Sequence, residues 1–276
     1  MNSFNLNHGG GASRSLKAFT LAEVLITLAI IGVVAALTIP SVIANHKRSE
    51  IETSLKSAYA SLSNAINLSI IDNGPIKYWA SSLSLDPDNE ASRGVAADAF
   101  AKKYFTPYLK IAKECGQSKE PDCKYTIFSS GGEEFQFSGE IDNFSRFYLA
   151  NGTFVGIHLA GALANGKVTQ SHFFIDTNGA KKPNKVGVDV YVFFMELRED
   201  KASKSLSMAG ANQTSKTLIT NSYSGCYIPD SGSGNTTSGL YCAALIQKNG
   251  WKIPTVEQYV QWAEDQSYRA KYPWKF

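Results

Sequence analysis

The chain has 276 residues, of which 18% are charged, and a formal net charge of +3. That length suffices for one substantial core, and no composition shift marks a second domain. Arg14 and Lys17 supply two of the net positive charges from a first 18 residues without acids, so the remainder is close to neutral. No stretch is basic enough for a nucleic-acid groove, and nucleic acid is not an expected partner.

In chain order, the first element is an apolar run. Val24 to Ile39 holds sixteen residues without a charge, and Phe19 to Leu21 extends it across Glu23 to about 21 positions. A helix needs about 20 such residues to cross about 30 Å of hydrocarbon at 1.5 Å per residue. The basic flank ahead of it predicts a cytoplasmic amino terminus. A secretory signal peptide would have a shorter apolar core, about 7–15 residues, closed by a small-residue cleavage site. Here Ile39-Pro40-Ser41 leads instead into sequence that still reads as helix. Glu23 is the only carboxylate in the run. A charge at mid-membrane is unfavourable by roughly 2.5–3.5 kcal/mol, less toward the ends, which makes Glu23 a functional candidate. A simple anchor has no use for it. The reading that leaves Glu23 without a role is a single-pass, membrane-anchored periplasmic binding protein that does not polymerise.

Lys17-Ala18-Phe19-Thr20-Leu21-Ala22-Glu23 resembles the processing site of type IV prepilins and of type II secretion pseudopilins. The resemblance implies cleavage between Ala18 and Phe19 by a prepilin peptidase and N-methylation of Phe19. Glu23 then falls on the family's acidic position, and Pro40 on the proline that interrupts the membrane helix of many members. The family usually has Gly before the cut, where this chain has Ala18. The implied protein is a non-enzymatic subunit of a type IV pilus or pseudopilus. It would be held single-pass in a bacterial inner membrane with a periplasmic head, then passed by an inner-membrane assembly platform into a filament. Its partners would be the peptidase, other pilin or pseudopilin subunits, the platform and membrane lipid. Physical chemistry gives Glu23 a matching role. A freed Phe19 amine and a carboxylate are each unfavourable alone in an apolar zone, and much less so as a pair, so Glu23 of one subunit would neutralise Phe19 of its neighbour.

Beyond Pro40, Ile51, Leu55, Ala58, Leu62 and Ile66 form one apolar stripe at helical spacing, with Tyr59 and Ile70 adjoining. Asp72-Asn73-Gly74-Pro75 stops the helix, and Pro40 predicts a kink or melted turn within it. The expected organisation is a leader at 1–18, a long helix at 19–72 with a transmembrane first half, and an α+β, pilin-like head at 73–276. Ala96 to Leu109 reads as a helix interrupted by Pro107. Strand-like runs follow at 125–128, 134–137, 146–150, 153–159, 170–176 and 188–197, with turns at Asn151-Gly152, Asn165-Gly166 and Asn178-Gly179. They suggest an antiparallel sheet laid across the helical stripe. Residues 199–222 and 230–239 read as exposed loops. Thr255 to Gln258 fits a capping box that opens a short terminal helix.

The four cysteines, Cys115, Cys123, Cys226 and Cys242, lack zinc-ligand spacing. They lie in the part expected outside the cytoplasm, where disulfides persist. Three pairings exist, with free buried thiols as the alternative, and Cys115–Cys123 with Cys226–Cys242 is the expected one because each closes a short loop. Within Asp176 to Asp189 the acids, Asn178 and Asn184 suit calcium, but the ligand order of an EF-hand is missing and Lys181, Lys182 and Lys185 oppose a cation. The expectation is no metal and no cofactor, with calcium the one alternative. No nucleophile elbow or phosphate loop is present, and His158 and His172 sit in strand-like segments as structural residues.

Overall fold

A computed structural model of the chain describes residues 19–80, 83, 90–117, 120, 123–135, 143–160, 168–179, 181–198, 200, 205–231 and 233–276. The leader with Ala18, the Asn165-Gly166 turn and the end of the 134–137 run lie outside these residues. Contacts divide the chain after Asn45 into two compact units.

Helix α1 runs from Leu21 to Asn73. It is unbroken through Pro40, so no melted turn occurs there. The lost amide of one proline removes a single ladder bond, and the turns on either side keep theirs. In the first unit no residue of α1 is buried.

In the second unit α1 carries the expected stripe: Ile51, Leu55, Ala58, Leu62 and Ile66 are buried, together with Ala65. Gly74, with φ of +77°, ends the helix in a conformation that suits glycine. Helix α2, Glu90–Tyr104, stops short of Pro107, and Thr106–Tyr108 forms a single 3-10 turn in place of the expected continuation. Strands β1 (Ile111–Gly116), β2 (Phe144–Leu149), β3 (Phe154–Ala160), β4 (Gln170–Asp176), β5 (Val190–Glu196) and β6 (Ser207–Met208) form one antiparallel sheet in sequence order. Helices α3 (Ser215–Thr220), α4 (Cys242–Lys248) and α5 (Val256–Ala263) follow. The fold is α+β and pilin-like: a long amino-terminal helix with an antiparallel sheet head.

Both faces of the sheet are covered. One face contributes Leu149, Ile157, Phe173, Ile175, Tyr191 and Phe193 to the core that includes the α1 stripe. The other packs Phe144, Phe154, Phe174 and Val192 beneath Tyr125, Ile127 and Phe135. Burial on two faces explains the continuous apolar runs of β4 and β5, where a half-exposed strand would alternate.

Several expectations are corrected. Residues 125–128 form no strand. Phe128 makes only isolated bridges, to Glu134 and Lys185, because this segment lies over a sheet face rather than at its edge. Residues 199–222 are not simply exposed loop: Leu206, Met208, Leu218 and Ile219 are buried, the last two on α3. In the 230–239 segment Ser238 is buried, and its carbonyl accepts from the Ser130 amide. Close approach decides Gly239: a Cβ there would meet the Val186 carbonyl oxygen at 2.1 Å. The expected terminal helix is present as α5, with Thr255 and Gln258 forming a complete capping box.

Candidate functional site

The amino-terminal residues are built around Thr20 and Glu23. Thr20 occupies the cap position before α1, and Glu23 is the third helical residue. The Glu23 Oε2 accepts from the Thr20 amide at 2.8 Å and from the Thr20 hydroxyl at 2.9 Å, while the Glu23 amide donates to the Thr20 hydroxyl at 3.2 Å. That is a capping box, and it satisfies two amide donors that a helix start leaves unpaired. The Thr-x-x-Glu spacing was present in the sequence, but the charge of Glu23 masked it. Oε1 takes no hydrogen bond among the described residues.

From this cap the helix presents apolar side chains all round. Phe19 is 85% exposed and Leu37 76%, and none of the most apolar stretch is buried. A helix apolar on every side needs an apolar surrounding rather than a core on one face. Its few hydroxyls are satisfied within the helix: Thr27 donates to the Val24 carbonyl and Thr38 to the Val34 carbonyl, both at 2.9 Å, and Ser41 to the Thr38 carbonyl at 2.8 Å. Back-bonding of this kind lets Ser and Thr sit in hydrocarbon. The Thr38 and Ser41 bonds flank Pro40.

Within the second unit α1 is held by polar contacts that the apolar stripe did not reveal. Glu52 is buried, and accepts from the Ile253 amide at 2.9 Å and the Lys252 ammonium at 2.7 Å. Arg48 donates to the Tyr272 hydroxyl at 3.2 Å, which itself donates to the Pro254 carbonyl at 2.6 Å. The carboxy-terminal segment thereby fastens to the helix.

The structure bonds Cys115 to Cys123 and Cys226 to Cys242. The first closes a loop at the end of β1. The second ties the first residue of α4 to the segment after α3.

The loop from β4 to β5 folds around two carboxylates. Asp189 accepts from the Lys185 amide at 2.7 Å, the Asn184 amide at 3.0 Å and the Asn178 side-chain amide at 3.1 Å. Asp176 accepts from the Asn178 amide at 2.9 Å and from the Tyr125 hydroxyl. Burial, and secondarily the Asp189 charge, pushes Asp176 up to about 8; burial also raises Asp189. N–H and O–H donors thus engage the oxygens that calcium would require. Among the described residues, no group of three or more His, Cys, Asp and Glu side chains is placed to hold a metal. The residues fit a turn better than an ion.

His158 and His172 are opposite each other on β3 and β4, with ring centroids 5.7 Å apart. Burial lowers His158 to about 4 and His172 to about 3, with smaller contributions from Arg93 and from His158 respectively. Both rings are neutral near pH 7.

Residues 14–39 match the prokaryotic N-terminal methylation motif, and residues 41–259 match a family of unknown function (DUF6613). No curated protein and no solved structure matches the chain. The first match contains Ala18, Phe19, Thr20 and Glu23 and ends beside Pro40. The second covers the whole sheet, the second half of α1 and the later helices except the end of α5.

Proposed function

This chain belongs to the family of unknown function DUF6613, and we propose that it is a structural subunit of a type IV pilus or type II secretion pseudopilus. Its amino-terminal motif makes it a type IV pilin- or pseudopilin-like protein, with membrane anchoring through the apolar half of α1. On our reading a prepilin peptidase cuts between Ala18 and Phe19 and methylates the new terminus. The cleaved chain waits in the inner membrane, head outward, until an assembly platform draws it into a helical filament with its neighbours. Apolar contact between the amino-terminal helices supplies cohesion. The Glu23 carboxylate, paired with the Phe19 amine of an adjoining subunit, supplies register.

One observation carries the reading: a methylation motif lies directly on an apolar helix that none of the described residues buries. The head's buried, fully bonded acids and neutral histidines suit a structural role rather than a catalytic one. The capping box favours a second reading, in which Glu23 only starts the helix of a plain membrane anchor. Glutamine also serves at this position of a capping box, so Glu23→Gln keeps the cap and removes the charge.

The test combines mass spectrometry of the mature protein with filament assembly in the native host. A chain beginning at N-methylated Phe19, with Glu23→Gln and Glu23→Ala both defective in assembly, is the expected result. A native chain still beginning at Met1 overturns the reading. If processed Glu23→Gln chains assemble as well as the parent, Glu23 is reduced to a helix cap.

A further inference from the structure

Where α1 enters the second unit, it forms one wall of a cavity of about 500 Å³ shared with the β4–β5 loop and the carboxy-terminal residues. Four lysines line it: Lys47 from α1, Lys181 and Lys182 from the loop, and Lys275. The carboxylates facing them are Glu50 and Asp189, and Asp189 already accepts three N–H bonds from its own loop. The ammonium groups of Lys47, Lys181 and Lys182 make no ion pair among the described residues, and all three side chains are exposed. Pro183 and Phe276 give the cavity an apolar rim. Unpaired ammoniums beside apolar surface are suited to a phosphate ester that carries a hydrocarbon part.

Position along the helix identifies the source of that ester. Lys47 follows Ile43, an exposed apolar residue, by four positions in the same helix, about 6 Å of rise at 1.5 Å per residue. Basic side chains just beyond a lipid-facing segment lie at headgroup depth, and the attraction of each to an anionic surface corresponds to roughly fivefold in affinity. We propose that this cavity takes the phosphodiester headgroup of an anionic phospholipid and so seats the head on the bilayer before assembly. The inference rests on the anchored state of the proposed function.

The test uses the full-length protein in phosphatidylcholine vesicles with or without phosphatidylglycerol. Lysine acetylation by an amine-reactive reagent is read residue by residue by mass spectrometry, and flotation reports anchoring separately. Phosphatidylglycerol should slow acetylation of Lys181 and Lys182 roughly fivefold while leaving Lys216 and Lys248, outside the cavity, unchanged. Inorganic phosphate added to phosphatidylcholine vesicles should protect neither. In Lys181→Gln/Lys182→Gln the protection of Lys47 should also be lost. Equal labelling in the two vesicles overturns the proposal. Protection by inorganic phosphate alone does so too, since the cavity would then be a soluble-anion site. Equal slowing at Lys216 and Lys248 reduces the effect to bulk surface charge and is also fatal. Failure to float would sink the anchoring reading itself, whereas flotation without lipid dependence sinks this inference alone.

Discussion

The two halves of α1 share one hydrogen-bonding pattern and dispose their apolar surface in opposite ways. From Leu21 to Asn45 no residue is buried by the described residues, whereas from Ile51 to Ser69 a stripe of side chains reaches almost complete burial. Helix formation therefore says little about what the helix is for. The distribution of apolar residues around its axis does: a stripe marks a seat for the chain's own sheet, and an all-round coat requires a cover from outside. The polar groups follow the same division. In the first half hydroxyls bond back to their own helix, and in the second Arg48 and Glu52 reach to the carboxy-terminal segment.

The strongest way to break this contrast is to truncate the same residue type in each half. Leu62 is fully buried and Leu28 is 59% exposed. Leu62→Ala should destabilise the head by about 2–5 kcal/mol, the range for a leucine removed from a packed core. Leu28→Ala should leave head unfolding within about 0.5 kcal/mol. Denaturant titration of the full chain in detergent, followed by tryptophan fluorescence, measures both. Trp79 and Trp274 are buried in the head and report its unfolding alone. Similar effects at the two positions would mean that the amino-terminal half also packs on the head.

Much of this contrast was legible in the residues. The spacing of Ile51, Leu55, Ala58, Leu62 and Ile66 gave the seat, and the uncharged run from Val24 gave the coat. Strands β2 to β5 could be read because Asn-Gly pairs punctuate apolar, aromatic runs. Four labelled elements escaped: strands β1 and β6 and helices α3 and α4. Strand β1 is an edge with two register irregularities, so its residues lack a clean period of two. Helices α3 and α4 have six and seven residues, too few turns for a 3.6-residue period to stand out from Ser, Thr and Lys neighbours. The second buried sheet face was written in Phe173-Phe174-Ile175, a run that does not alternate, yet its cover comes from segments with no regular structure of their own. At the candidate site, the acid was legible and its bond to Thr20 was overlooked.

Acidity sharpens the comparison next, because the buried titratable groups among the described residues all belong to the second unit. Asp176 is raised to about 8, so the folded state holds a proton that the unfolded state releases above pH 4. Stability from this group falls as pH rises toward 8. His158 and His172, lowered to about 4 and about 3, act in the opposite direction: below pH 6.5 the unfolded chain binds protons that the folded head refuses. The two limbs meet near pH 6.5, where head stability should be greatest. Raising the pH from there to 8 should lower it by about 1 kcal/mol, because the histidines still offset part of the loss just above pH 6.5 and Asp176 has half released its proton by pH 8. Asp176→Asn should flatten the alkaline limb, and His158→Gln with His172→Gln the acidic one, in thermal melts across pH 5 to 9. A maximum that stays near pH 6.5 in all variants would assign the profile to other groups.

The smallest effect compares the capping boxes that open α1 and α5. Thr255 and Gln258 repeat in the head the bonds that Thr20 and Glu23 make at the amino terminus, with an amide in place of the carboxylate. Thr255→Ala should lower head stability by about 1 kcal/mol, the usual value of a helix cap. Thr20→Ala should leave the same melt unchanged, because its bonds serve only the exposed half of α1. Gln258→Glu completes the comparison. If it melts with the parent protein, amide and carboxylate are interchangeable as caps in this chain. Glu23→Gln can then be taken to leave the start of α1 intact, and any assembly defect it causes reports the missing charge. A loss of about 1 kcal/mol in Gln258→Glu would instead mean that the two groups cap unequally, and Glu23→Gln would disturb helix and charge together.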